Sequence, residues 1–170
     1  MATLKPAYQT QKYVNKFQNS PIYCGRNDNP WLTEGYYFWH GTVDLAHWWG
    51  KIVRKYNKYC IFSAEIEFNG EEYLDLVGNV SDIEDFRKTY SLLKEKCPFE
   101  EFTVSRILKI FLKINPVIKI VRAVSQHKIN SDTTIKFIDN DSSYLNITPA
   151  IQLCVMDINL IKNFNRVYPK

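Results

Sequence analysis

Aromatic side chains able to hold a flat ligand gather between Gly35 and Gly50, where GYYFWHGTVDLAHWWG carries Tyr36, Tyr37, Phe38, Trp39, Trp48 and Trp49. Such rings stack on another ring in offset or edge-on geometry, so a run this dense could supply both walls of a slot. The same run also reads as a strand and a helix feeding an apolar core. Just upstream, Tyr23-Cys24-Gly25-Arg26 sets a thiol beside a cation, and Glu34 places a carboxylate directly before the aromatics. A nucleophile pair of Cys24 with one of the three histidines has no local signature behind it. His40 and His47 are seven apart across a predicted helix start, which suits capping or surface contact better than a metal site. Gly-rich phosphate loops, His-Glu-x-x-His and Gly-x-Ser-x-Gly are all missing from the sequence.

Those residues need elements to position them. Gly35 opens a short aromatic strand, and Thr42 with Asp44 reads as the start of a helix running to about Lys55, with Leu45, Trp48, Trp49, Ile52 and Val53 inward. Tyr59 to Phe68 alternates strictly, with Cys60, Phe62, Ala64, Ile66 and Phe68 on one face and Glu65 and Glu67 on the other. Asn69-Gly70 then predicts a tight hairpin returning through residues 72–77. Ser81-Asp82-Ile83-Glu84 reads as a capping box for a helix stopped by Pro98. A second helix is expected over roughly 100–114, with Arg106, Lys109 and Lys113 on its polar face. Strands are expected at Val117–Val124, Ile135–Asp139 and Ile151–Met156, and Asp157 should begin a last helix through Leu160, Ile161 and Phe164. The order implies an α+β domain with a mixed or antiparallel sheet and flanking helices. Residues 1–20, polar and with Lys5, Lys12 and Lys16 but no acid, read as an N-terminal arm or loose helix ahead of a single domain over 21–170.

The bulk numbers narrow the function classes. A chain of 170 residues with 45% hydrophobic and 24% charged side chains can bury one ordinary core. The four cysteines lack the spacing of zinc or redox motifs, so reduced thiols in a cytoplasmic protein are the natural reading. No apolar run suggests a signal peptide or a membrane span, so no membrane partner is expected. Net charge is +4, and from Arg87 to Lys128 basic residues outnumber acidic ones ten to three. That balance suits solvated helix faces, a phosphorylated ligand or nucleic acid.

Three segments in order carry a more specific pattern: the strand ending Tyr23-Cys24-Gly25-Arg26, the strand Gly35-Tyr36-Tyr37-Phe38 with Ala46-His47-Trp48 beyond it, and the late strand Ile151-Gln152-Leu153-Cys154-Val155-Met156-Asp157. Together with the predicted hairpin and the predicted terminal helix, this resembles the ADP-ribosyltransferase fold of poly(ADP-ribose) polymerases, many bacterial toxins and related small bacterial proteins. The resemblance implies a domain that binds NAD as a substrate and transfers ADP-ribose to a protein or nucleic-acid acceptor. Gly25 would hold the nicotinamide carboxamide through its backbone, Tyr37 and Trp48 would sandwich the ring, and Arg26 would reach a pyrophosphate or ribose. Cys24 stands where the family has a ribose-binding His, and Gln152 where it has its catalytic Glu. A neutral amide brings no charge to an oxocarbenium-like transition state, so the resemblance implies impaired transfer or binding alone, with Glu34 as a substitute carboxylate. An alternative of another class is a non-catalytic module docking nucleic acid or an acidic partner through the Arg106, Lys109 and Lys113 face.

Overall fold

The computed structural model describes residues 1–13, 19–125, 134–139 and 143–169. Lys16 of the predicted arm and Lys128 of the basic stretch lie outside them. The chain is α+β, built on an eight-stranded mixed sheet. Its strands are β1 (Ala2–Lys12), β2 (Tyr23–Cys24), β3 (Gly35–His40), β4 (Tyr59–Phe68), β5 (Tyr73–Asp75), β6 (Ile120–Ser125), β9 (Ala150–Val155) and β10 (Ile161–Tyr168). The order across the sheet is β10-β4-β1-β3-β9-β6-β5, with β2 paired to β3; β7 (Thr134–Lys136) and β8 (Tyr144–Asn146) form a separate hairpin. The helices are α1 (Val43–Trp48), α2 (Val80–Lys96) and α3 (Val104–Ile114).

Chain length forces the sheet to curl. Five strand spacings separate β4 from β5 in this order, or about 24 Å if the sheet were flat. The chain from Phe68 to Tyr73 can span at most about 18 Å, and residues 70–72 coil into a 3-10 turn. The two ends of the sheet therefore approach each other, and Phe68 and Tyr73 meet with ring centroids 4.7 Å apart. The inner face of the curl buries Ala7, Phe38, Ala64, Ile66, Phe68, Ile120, Leu153 and Val155, contributed by strands alone. Helices cover the outer face in two separate places. Leu108 and Phe111 of α3 pack on Leu74, Val121, Ala123 and Cys154. Ala46 of α1 packs on Trp39, Ile61 and Ala150.

Several local expectations hold. β3 falls where Gly35 and the aromatic run place it and β4 where alternation does, and the Thr42 side chain accepts a hydrogen bond from the Asp44 N–H at the start of α1. Others shift or fail for tertiary reasons. α2 is capped two residues early, because the Asn79 side chain takes the Ser81 and Asp82 N–H groups. α1 ends at Trp48 and opens into a π-type turn over Trp49–Val53, which leaves Ile52 and Val53 exposed rather than inward. The polar N-terminus is neither arm nor helix: β1 runs through the middle of the sheet with Ala7, Gln9 and Gln11 buried. Asn69-Gly70 does not make a hairpin. Asn69 sits at φ −92°, outside the left-handed region that a two-residue hairpin turn requires, and its N–H donates to Glu72 Oε2 at 2.7 Å. β5 instead crosses over to pair parallel with β6. Asp157 does cap a turn, but only residues 158–160; Ile161 and Phe164 continue as β10 on the free edge of β4. The hairpin and the terminal helix therefore lend no support to the family resemblance. Among the described residues no helix is long and apolar enough to cross a membrane.

Candidate functional site

The site follows from the gap between the two helical covers. Along the outer face of β9, Ala150 belongs to the α1 cluster and Cys154 to the α3 cluster. Gln152, which points the same way as both by strand alternation, falls between them. On the neighbouring strand, Gln152 pairs with Trp39 and Cys154 with Tyr37. Gln152 belongs to neither apolar cluster. A slot of about 520 Å³ opens there, walled by Trp31, Tyr37, Trp39 and Trp49, with Cys24, Arg54 and Gln152 also lining it.

The loop ahead of β3 forms one wall, and its sequence explains its shape. Asp28 ties a 3-10 turn: its carboxylate accepts the Gly25 N–H at 2.8 Å, and its own N–H donates to the Gly25 carbonyl at 3.0 Å. Asn29 takes a left-handed φ of 53°, which Asn tolerates better than most residues, and Pro30 turns the chain. Tyr37 then braces Leu32 and Thr33. Its hydroxyl accepts from their N–H groups at 3.0 and 3.2 Å and donates to the Thr33 carbonyl at 2.8 Å. Burial pushes the Tyr37 phenol far up, so it stays a neutral donor. The Cys154 thiol, pushed up to about 12 mainly by burial, donates to the same Thr33 carbonyl at 3.4 Å.

With the loop held, Trp31 reaches the slot floor, where its Nε1–H donates to Gln152 Oε1 at 2.5 Å. This contact orients the amide. Indole nitrogen only donates, so the atom facing it must be the Gln152 oxygen, and the Nε2 group is left as the donor for the slot. Gln152 is only 6% exposed, and an amide that deep is costly unless its groups find partners.

The opposite wall exists because β1 and β3 part. Their ladder covers only Ala7–His40 and Tyr8–Trp39. Beyond it Gln9 substitutes for backbone pairing: its Nε2 donates to the carbonyls of Ile22 and Tyr37, both at 3.1 Å, and its Oε1 accepts the Ile22 N–H at 2.7 Å. Gln11 Nε2 donates to Gln9 Oε1 and to the Ser20 carbonyl, both at 3.0 Å. Arg54 lies over the Trp49 ring, 5.1 Å from its centroid, at the slot's mouth.

Of the residues singled out from the sequence, Cys24, Tyr37 and Gln152 meet in this slot, with Trp39 and Trp49 of the aromatic run in its walls. Trp48 does not line it; it packs edge-on against Trp39 at 6.1 Å in the α1 core, and its neighbour Trp49 faces the slot instead. Gly25 is also outside, with both backbone groups committed to Asp28. Arg26 and Glu34 lie beyond Trp31, in a second cavity of about 440 Å³ shared with Lys109. The slot's own carboxylate, Asp28, is occupied by the Gly25 N–H. For NAD the fit is therefore partial. Aromatic walls and the Gln152 donor suit a planar ring bearing a carbonyl, whereas Gly25 has no free backbone pair for the carboxamide.

Trp31, Gln9, Gln11 and Arg54 escape the sequence reading. Signals were present: a large indole directly after the turn-rich Asn27–Pro30 stretch has no local reason to be there, and Gln9 and Gln11 repeat at a strand's period of two. Elsewhere, the predicted basic face of α3 is weakened because Arg106 pairs with Glu100 and lies over Phe102, which leaves Lys109 and Lys113. His47 Nδ1 is 3.0 Å from the Tyr59 hydroxyl, and among the described residues no group of three metal-ligating side chains comes together. No protein-family model matches the chain, and no curated protein or solved structure is significantly similar to it.

Proposed function

We propose that this protein binds NAD or a related nucleotide in the slot between Trp31, Tyr37, Trp39 and Trp49, and holds it without efficient transfer of ADP-ribose. The observation that carries this reading is Gln152. It is a buried amide at the seam of two apolar covers, it lines a slot with aromatic walls, and because its oxygen is taken by Trp31 its N–H donors are what it has to offer a ligand. A flat ring with a carbonyl substituent complements that arrangement in both shape and hydrogen bonding.

The same residue argues against fast chemistry. Cleaving a glycosidic bond to nicotinamide develops positive charge on the ribose, and preorganised negative charge at that point contributes on the order of 10² to 10³ in rate. Gln152 carries none, and Glu34 lies on the far side of Trp31. Binding without turnover is the expected behaviour.

Tryptophan fluorescence titrated with NAD and with nicotinamide, alongside an assay of nicotinamide release, tests both halves. NAD should quench the emission while release stays at background. Gln152→Glu should raise release by about tenfold or more. That gain should grow toward alkaline pH, because burial raises a carboxylate's pKa and only the ionised form helps. Absence of quenching by either compound sinks the binding reading, and robust wild-type release sinks the claim of silence.

A further inference from the structure

Among the described residues five cations are in ion pairs. Lys5 pairs with Glu65, Arg87 with Glu84, Lys88 with Asp85, Arg106 with Glu100 and Arg122 with Asp75. Lys12, Arg54, Lys55 and Lys58, outside those pairs, are set apart by clustering: together they line one cavity of about 530 Å³ with no acidic residue in its wall.

Local structure brings them together. The turn after α1 closes when the Arg54 N–H donates to the Trp49 carbonyl at 2.8 Å. Lys55 then takes a left-handed φ of 50°, and the Tyr56 N–H donates back to the Gly50 carbonyl at 2.9 Å. This reversal delivers Lys55 and Lys58 to the end of β1, where the Tyr13 N–H donates to the Lys58 carbonyl at 3.0 Å and Lys12 pairs with Tyr59. Like charges so placed repel one another unless an anion sits among them.

The cavity continues the slot, since Lys12, Arg54 and Tyr56 line both. We infer that it is the phosphate subsite for the slot's ligand: a nucleotide whose ring lies against Trp31 and Trp49 runs its diphosphate past Arg54 to Lys12 and Lys58. The inference rests on the nucleotide reading above. It also moves the pyrophosphate away from Arg26, whose cavity lies across Trp31 and contains the opposing charge of Glu34.

Calorimetric titration of the full chain with NAD and with nicotinamide riboside, which lacks phosphate, separates the two ideas. Wild type should bind NAD more tightly than the riboside. The exposed double variant Arg54→Gln/Lys58→Gln should lose about tenfold or more in NAD affinity, the scale of a hydrogen-bonded charge contact, while riboside affinity changes little. Arg26→Gln should leave NAD binding unchanged. If the riboside binds and the diphosphate adds nothing, or if Arg26→Gln rather than the double variant weakens NAD, the subsite is misplaced although the slot reading stands. If neither compound binds, the nucleotide reading itself has failed and takes this inference with it. A short single-stranded oligonucleotide that binds more tightly than NAD and is lost in the double variant assigns the cavity to strand phosphates, which overturns the free-nucleotide assignment.

Discussion

β3 is held differently on its two sides. Toward β9 it is laddered from Tyr36 to Trp39, and the sheet is so tight at Gly35 that a Cβ there would lie 2.7 Å from the Val155 carbonyl oxygen and 2.8 Å from Cys154 Sγ. Toward β1 the ladder stops after two residue pairs, and side-chain amides of Gln9 and Gln11 carry the connection from there. One side is closed backbone to backbone; the other is propped open by side chains. The contrast shows how a sheet can admit a cleft without leaving buried peptide groups unpaired: polar side chains stand in for the missing strand. The slot borders the propped side.

Breaking the closed side should have the largest effect. Gly35→Ala forces a methyl group against backbone that cannot rotate away, and should cost about 3 kcal/mol, the upper part of the usual overpacking range. A urea unfolding curve reads this directly, and a loss below about 1 kcal/mol would mean that the β2–β3–β9 corner has slack.

Gln9→Leu tests the propped side. It keeps bulk but strands the Ile22 N–H and removes the donor to the Ile22 and Tyr37 carbonyls, an expected loss of about 2 kcal/mol. The same variant should weaken NAD binding in proportion to how far the slot wall moves. Unchanged stability would show that the strands part for another reason.

The smallest effect lies where the ladder to β1 is still closed, at His40. Burial, and secondarily the Arg122 charge, hold this imidazole's pKa below its ordinary 6.5, with Asp75 opposing. As pH falls, the unfolded chain takes up the proton first. The contribution to stability is therefore full above about 6.5 and is lost as pH drops toward the lower folded value. The midpoint of thermal unfolding should fall more steeply between pH 7 and 5 in wild type than in His40→Gln. Parallel profiles would place the pH sensitivity elsewhere.

Elements that a turn or two of chain can encode were legible before folding. The alternation of Tyr59–Phe68 placed β4, the glycine and aromatics placed β3, Thr42 capped α1, and Pro98 bounded α2, so the α+β class was legible. Tertiary structure alone decided which of the adjacent Trp48 and Trp49 faces the slot, because a helix opening into a π-type turn rotates its next residues away from the predicted face. It also decided that Asn69-Gly70 would lead away from β4 rather than back along it, since β1 and β10 already flank that strand. The polar N-terminus misled for the same reason: glutamines read as solvent-facing until their partners, at positions 20, 22 and 37, are brought beside them. Trp31 and Gln152 are separated by 121 residues, and neither has a local reason to meet the other. Periodicity and capping are local and survive in the sequence, whereas strand partners and buried amide bridges are fixed only when distant segments satisfy each other's hydrogen bonds.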